Sequence, residues 1–170
     1  CIRDRYQPVT QPIEKDYGVV PSEKELTGAV TFTPEYDEEG DELPVVSIDD
    51  ASQIPDGKTA GDYTIDLTVT YPDGTVDTDS VTVTIAKQPL NDKYQPVTQP
   101  IEKDYGVVPS EKELTEAVTF TPEYKEEGDA LPVVTIDNLD QIPDGKEAGD
   151  YTIDLTVTYP DGTVDTDSVT

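Results

Sequence analysis

The chain carries the same sequence twice. Tyr6–Thr82 matches Tyr94–Thr170 at a constant offset of 88 residues, and the two copies differ at eight positions. A unit of this length can bury one modest hydrophobic core. The repeat therefore predicts two domains, at residues 1–87 and 88–170. Because Thr170 corresponds to Thr82, after which the first copy continues, we expect the second copy to have a truncated last strand and the chain to be a piece of a longer one.

The strongest local pattern lies at Gly61–Ile85 and returns at Gly149–Thr170. Residues 63, 65, 67, 69 and 71 are apolar or aromatic and alternate with hydroxyl or acidic residues, which is typical of a half-buried β-strand. The segment Tyr71-Pro72-Asp73-Gly74-Thr75 suits a type I turn whose glycine takes a positive φ. The pattern predicts a β-hairpin.

The second strand of this hairpin contains one irregularity. Val76 is out of phase with the later apolar residues Val81, Val83 and Ile85. We expect either a β-bulge between Asp77 and Ser80 or packing of Val76 against the turn.

The remaining elements of the unit are short. Tyr6 and Val9 are the expected inward residues of a first strand, which Pro8 confines to a sheet edge. Ser22 and Glu25 form a capping-box signature, so a single helical turn ending near Gly28 is expected. Two further strands are predicted at residues 29–33 and 45–48. These elements predict an all-β fold, with two tandem immunoglobulin-like β-sandwich modules that each contain a short helical turn.

Charge and composition exclude several classes of partner. The net charge of −27 and the pI of about 4.1 oppose binding to nucleic acid or to an anionic membrane surface. The sequence has no run of 18 apolar residues, so no membrane span is expected in this fragment. Cys1 is the single cysteine, which rules out a disulfide within the chain.

The sequence indicates no catalytic chemistry. Histidine, the commonest general base and metal ligand, is absent. No phosphate-binding loop, dinucleotide fingerprint or nucleophile elbow is present. We therefore predict that the chain is not an enzyme, and we assign no catalytic, cofactor-binding or metal-ligating residue and no cofactor.

Two acidic segments raise the question of calcium binding. One is the loop at residues 37–42, and the other is the Asp77-Thr78-Asp79 triplet. Neither fits a twelve-residue calcium loop, and the second copy replaces two of the loop acids with Lys125 and Ala130. We interpret the loop as a solvated acidic segment and the triplet as strand positions that face water.

Ten tyrosines recur as five pairs. Tyr63 and Tyr71 are in phase with the apolar strand residues, which predicts core or core-edge positions. Tyr36 and Tyr124 lie beside the acidic loops, and they are the candidates for an exposed binding surface.

The order of these motifs resembles the Rib domain, the tandem repeat of Gram-positive bacterial surface proteins. The resemblance is carried by the opening Asp92-Lys93-Tyr94-Gln95-Pro96 and by the turn Thr158-Tyr159-Pro160-Asp161-Gly162 with its flanking strands. It covers the whole chain as two copies, with the acidic stretch at residues 37–43 as an insertion.

The resemblance implies reduced immunoglobulin-like sandwiches that form a cell-wall-attached, extracellular stalk. Such a stalk projects a distal adhesive domain and has no catalytic residues to carry over. Neighbouring repeats in the same chain are the expected partners, and a monomer is expected. Two alternatives remain open: an adhesion module that binds a host protein or glycan directly, and a linker made rigid by calcium.

Overall fold

A computed structural model describes residues 1–38, 40, 42–128 and 130–170. Three residues of the acidic loops lie outside the described residues: Glu39 and Asp41 in the first copy and Asp129 in the second. The chain divides into two compact units, Cys1–Gln88 and Pro89–Thr170. None of the described helices is long and apolar enough to cross a membrane.

The first unit is built mainly from strands, as the sequence predicted. In chain order its elements are α1 (Ile2–Arg5), β1 (Gln7–Thr10), β2 (Ile13–Lys15), α2 (Glu23–Gly28), β3 (Val30–Thr33), β4 (Val45–Ile48), a 3-10 helix (Ala51–Gln53), β5 (Gly61–Thr70) and β6 (Val76–Ile85). The all-β prediction is confirmed.

These strands form two sheets. The larger has the order β2-β6-β5-β4, in which β2 runs parallel to β6 and the other neighbours are antiparallel. The smaller is an antiparallel pair of β1 and β3. Leu26 from α2 and Val30 from β3 pack against the inner face of the larger sheet, where Ile65, Leu67 and Val83 are fully buried. The core therefore lies between two β layers.

The predicted hairpin is confirmed, but both explanations of its irregular second strand are wrong. Pairing is continuous from Gly61 opposite Ile85 to Thr70 opposite Val76, so no bulge interrupts it. Val76 points outward and is 43% exposed. The inward positions before Val81 are occupied instead by Asp79 and Asp77, which pair with Leu67 and Val69.

The first strand is an edge strand, as expected, but its inward residues differ from the prediction. Tyr6 and Pro8 are buried, whereas Val9 is 37% exposed. Alternation from Tyr6 places residue 8 on the inner face, because successive strand side chains point to opposite faces. The prediction for Val9 was therefore wrong.

The predicted helix start is confirmed in both units. The Glu25 backbone N–H donates to Ser22 Oγ at 3.1 Å, and the Ser22 N–H donates to the Glu25 carboxylate at 3.2 Å. Ser110 and Glu113 repeat this capping box. Glu25 also pairs with Lys15 of β2, and this hydrogen bond is the main reason that the pKa of Glu25 is lowered.

The second unit repeats this plan with fewer paired residues. Its elements are α3 (Leu90–Lys93), β7 (Gln95–Thr98), α4 (Glu111–Glu116), β8 (Val118–Thr121), β9 (Val133–Ile136), a 3-10 helix (Leu139–Gln141), β10 (Ile153–Thr158) and β11 (Val164–Val169). The sheets are β11-β10-β9 and β7-β8. Residues 101–103, which correspond to β2, do not form a strand, because Val83–Ile85 have no counterpart in this sequence.

Candidate functional site

Polar and aromatic side chains gather around the hairpin turn of each unit. We call this group the turn cluster; in the first unit it comprises the rings of Tyr6, Phe32, Tyr36 and Tyr71 and the acids Glu38, Asp73 and Asp77. The turn itself brings them together. The Gly74 N–H donates to the Tyr71 carbonyl, and the Tyr71 N–H to the Thr75 carbonyl, both at 2.9 Å, while Gly74 has a φ of 87°. This geometry confirms the predicted turn.

Asp73 joins the turn to the start of the unit. Its carboxylate accepts hydrogen bonds from the Thr75 hydroxyl at 2.5 Å and the Thr75 N–H at 3.0 Å, and also from the Ile2 N–H at 2.9 Å. These bonds, with the Thr75 hydroxyl first, lower the pKa of Asp73 to about 2. The ionised carboxylate therefore holds residues 1–6, which we call the leading segment of the first unit (residues 89–94 in the second), against the hairpin turn.

Asp77 makes the second attachment. It accepts a hydrogen bond from the Tyr71 hydroxyl at 2.8 Å and one from Arg3 Nε at 3.1 Å. Its side chain is 18% exposed. Burial, followed by this bond to Asp77, raises the pKa of Tyr71. The interpretation of Asp77 and Asp79 as strand positions that face water was therefore wrong: both lie on the inner face of the strand, and Asp77 is hydrogen-bonded there to Tyr71 and Arg3.

Glu38 makes the third attachment. The Tyr6 hydroxyl lies 3.0 Å from Glu38 Oε1 and accepts from the Asp37 N–H at 3.2 Å. Arg5 Nη1 donates to the same carboxylate at 2.9 Å. The hydrogen bond from Tyr6, and then that from Arg5, lower the pKa of Glu38. The Glu38 carboxylate and the Asp37 backbone thus bind the Tyr6 hydroxyl, and Glu38 also binds the Arg5 cation.

Tyr36 does not offer the exposed ring that the sequence suggested. Its ring centroid lies 4.7 Å from that of Tyr6, 5.8 Å from that of Phe32 and 6.5 Å from that of Tyr71. Its hydroxyl is buried, with no hydrogen-bond partner among the described residues. Burial, and then the charge of Glu38, raise its pKa. Because Tyr124 packs in the same way in the second unit, the prediction of an exposed aromatic surface was wrong at both positions.

The second unit keeps the turn cluster but changes its cations. The Leu90 N–H donates to Asp161 at 2.8 Å, and the Tyr159 hydroxyl donates to Asp165 at 2.8 Å. Asn91 stands where the first unit has Arg3, and its side-chain amide donates to the Val164 carbonyl at 3.1 Å. Lys93 replaces Arg5 and pairs with Glu126, which raises the pKa of Lys93. Attachment of the leading segment to the turn is therefore common to both units.

These contacts attach the leading segment of each unit to its hairpin turn. The part of the chain that the structure describes contains no group of three or more His, Cys, Asp or Glu side chains arranged to hold a metal ion. Sequence reasoning missed the roles of Arg3, Glu38 and Asp77. Only Asp77 could have been found from the sequence, by continuing the two-residue period back from Val81.

The fold and the turn cluster define an acidic tandem β-sandwich repeat in which each unit fastens its own leading segment to its hairpin. A family model described as the Rib domain matches residues 3–87 and 91–170. The chain therefore belongs to the Rib domain family, as the resemblance indicated. It is also 34% identical over 171 residues to the C protein alpha-antigen of Streptococcus agalactiae serotype Ia, a match that covers 99% of this chain and 15% of that protein.

Proposed function

We propose that this chain is a mechanical spacer in the stalk of a cell-wall-attached, extracellular bacterial surface protein, with residues 1–87 and 88–170 each forming one repeat. The role is non-catalytic and serves to project a distal domain. Membership of the Rib family supports a surface repeat protein. The position of the chain ends within the first unit supports the spacer role.

The first unit begins near one end of strand β6 and ends at the other end of that strand. The leading segment is bound at the turn, where the Ile2 N–H donates to Asp73. The chain leaves after Ile85, at the far end of the ten-residue strand that begins at Val76. At about 3.3 Å per residue, β6 separates these two points by about 30 Å. The points at which the chain enters and leaves the unit are thus separated by the length of β6.

The parallel pairing of β2 with β6 carries the proposal. Ile13–Lys15 pair with Val83–Ile85, and the Ala86 N–H adds a hydrogen bond to the Lys15 carbonyl at 2.9 Å. Because the strands are parallel, tension enters β2 at its first residue and leaves β6 at its last, so it shears the pairing. All of these hydrogen bonds then carry the force together, whereas pulling apart the ends of an antiparallel hairpin breaks its bonds one after another.

Single-molecule force spectroscopy of the 170-residue chain tests this proposal. Ala86→Pro removes the donor to Lys15 without adding bulk to the core. We expect it to lower the unfolding force of the first unit and to leave that of the second unit unchanged. Thr59→Glu is the matched control, because the equivalent position of the second unit is Glu147. An unfolding force that is the same in both variants and in the parent chain would show that the parallel pair does not resist tension.

The charge of the chain supports a spacer that does not associate with its own copies. With a net charge of −27, copies of the chain repel one another at low ionic strength, which favours the monomer that we propose. Direct adhesion and calcium-dependent rigidity have less support. The rings of Tyr36 and Tyr124, on which adhesion depended, are packed within their own units.

A further inference from the structure

Strand β4 lies at one edge of the larger sheet of the first unit and pairs with β5 on one side. Just beyond its end, the Asp49 N–H donates to the Asp66 carbonyl at 3.0 Å, which fixes the phase of this pairing. Because bonded and non-bonded positions alternate in an antiparallel pair, the N–H and C=O groups of Val46 and Ile48 point away from β5. In the part of the chain that the structure describes, no hydrogen bond from another segment satisfies these groups.

The sequence of β4 does not protect this edge with charge. Proteins commonly keep other chains from pairing with a sheet edge by placing charged residues on it, lysine above all. Strand β2, at the opposite edge of the same sheet, carries Glu14 and Lys15, whereas β4 is apolar except for Ser47. Pro44, directly before β4, has no N–H, so an added strand is limited to about the length of β4.

Both faces of β4 offer apolar side chains to an added strand. On the outer face, Val45 is 64% exposed and lies in one row with Thr70 and Val76, the outward valine that the sequence pattern did not explain. On the inner face, Val46 and Ile48 pack against the core but are only partly buried. A further strand beside β4 therefore extends the outer row and covers the inner pair.

The charge around β4 decides which partner fits. Glu42 precedes the strand, and Asp49 and Asp50 follow it, all three exposed. No lysine or arginine occurs in the sequence between Lys24 and Lys58. A cationic segment is attracted to this edge, whereas a second copy of a chain with a net charge of −27 is repelled from it.

The second unit repeats the edge in strand β9. The Asp137 N–H donates to the Asp154 carbonyl at 3.0 Å, so the backbone groups of Val134 and Ile136 point away from β10. Val133, the equivalent of Val45, is 59% exposed. Each unit therefore presents the same free edge.

We propose that the free edges of β4 and β9 bind an extended, cationic segment of a partner protein by strand addition. Its backbone pairs with the outward N–H and C=O groups, its apolar side chains at alternate positions cover the valines and isoleucines of the edge, and its lysines or arginines lie beside the flanking acids. This inference goes beyond the spacer role and does not depend on it, because the parallel β2–β6 pair lies at the opposite side of the sheet.

Titration with a peptide tests the edge directly. The probe is acetylated, amidated Lys-Val-Thr-Val-Thr-Val-Lys, added to the 170-residue chain at low ionic strength and followed by amide NMR. We expect saturable shifts confined to residues 42–50 and 130–138. The same peptide with glutamate in place of both lysines is expected to bind at least about tenfold more weakly, because its charge is repelled by the flanking acids. Absence of saturable shifts at millimolar peptide, or equal binding of the two peptides, would overturn the proposal.

Two variants of the first unit separate the edge from other surfaces. Val45→Lys adds a cation at an exposed position of the edge and leaves the core unchanged, and Val46→Pro removes an N–H that faces away from β5. We expect each to weaken peptide binding to the first unit by at least about tenfold, with binding to the second unit unchanged. Val133→Lys is the matched variant and should show the reverse pattern.

Peptide-induced shifts in the first unit that persist in both of its variants would show that the peptide binds elsewhere. The chain without peptide supplies the remaining outcome. Shifts of residues 42–50 that grow with protein concentration would show that the edge pairs with a second copy of this chain, which would overturn the assignment of a cationic partner.

Discussion

Gly57→Ala is expected to destabilise the first unit through a direct backbone collision. Gly57 is buried and has a φ of 80°. A Cβ atom there would lie 2.8 Å from the Val19 carbonyl oxygen and 2.9 Å from the Val19 nitrogen. The Gly18 N–H, which donates to the Gly57 carbonyl at 2.7 Å, holds the two loops together, so neither can withdraw without losing this bond.

The cost has two parts. Holding alanine at positive φ costs about 1–2 kcal/mol. Displacing the packed backbone at Val19 adds about 1–3 kcal/mol. Gly74 supplies the matched control, because its φ is 87° but nothing lies within 4 Å of its added Cβ. Gly74→Ala should therefore show the first part alone.

Urea unfolding followed by two-dimensional NMR measures each unit through its own amide signals. We expect Gly57→Ala to lower the free energy of unfolding of the first unit by about 2–5 kcal/mol, against about 1–2 kcal/mol for Gly74→Ala. The second unit should unfold unchanged in both variants. Equal losses for the two variants would refute the close approach of the loops at Gly57 and Val19.

Two further predictions concern the turn cluster. Tyr71→Phe and Tyr159→Phe each remove one hydrogen bond to a carboxylate, and each should cost about 1.5–3 kcal/mol of unfolding free energy. The loss should be larger for Tyr159→Phe, since Arg3 remains beside the carboxylate in the first unit and asparagine takes its place in the second; equal losses in urea titrations would argue against a stabilising Arg3 contact. Asp73→Asn removes a carboxylate whose pKa falls from 3.8 to about 2 on folding. Ionisation of Asp73 stabilises the fold above pH 3.8, so the stability difference between the parent chain and Asp73→Asn should shrink as the pH falls from 4 to 2. A difference that stays constant over that range would show that Asp73 is not bonded as described.

Local patterns in the sequence were sufficient to predict the hairpin, its turn and the helix cap. Each depends on residues that are close in sequence: the alternation at residues 63–71, the glycine at position 74, and Ser22 with Glu25. The change of phase at Val76 could not be interpreted from residues that are close in sequence. Two inward acids next to a core appear unfavourable in the sequence alone, and Asp77 is tolerated because Arg3, 74 residues away, and Tyr71 both bond to it.

The packing of Tyr36 also could not be predicted from its neighbours in sequence. Its acidic neighbours in sequence suggested a solvated loop, yet its ring packs on Tyr6, Phe32 and Tyr71, which come from three other parts of the chain. The partners of a ring are set by tertiary packing, and no local period encodes them. The surroundings of Tyr36 and of Asp77 were therefore missed for the same reason: both depend on contacts between the leading segment and the region of the hairpin turn.

The two units form a matched pair that isolates the contribution of the last strand. All eight positions that differ between Tyr6–Thr82 and Tyr94–Thr170 are exposed in the first unit, so the two cores differ only in that Leu90 takes the place of Ile2 and that Val83 and Ile85 have no counterpart in the second unit. Burial of these two side chains and the hydrogen bonds to β2 favour the first unit, while ordering the strand opposes it. We expect the first unit to be more stable by on the order of 2 kcal/mol. Urea unfolding resolved by NMR should then show the second unit unfolding first. Coincident transitions would mean that the β2–β6 pairing adds no stability, and the shear argument for the spacer would lose its basis.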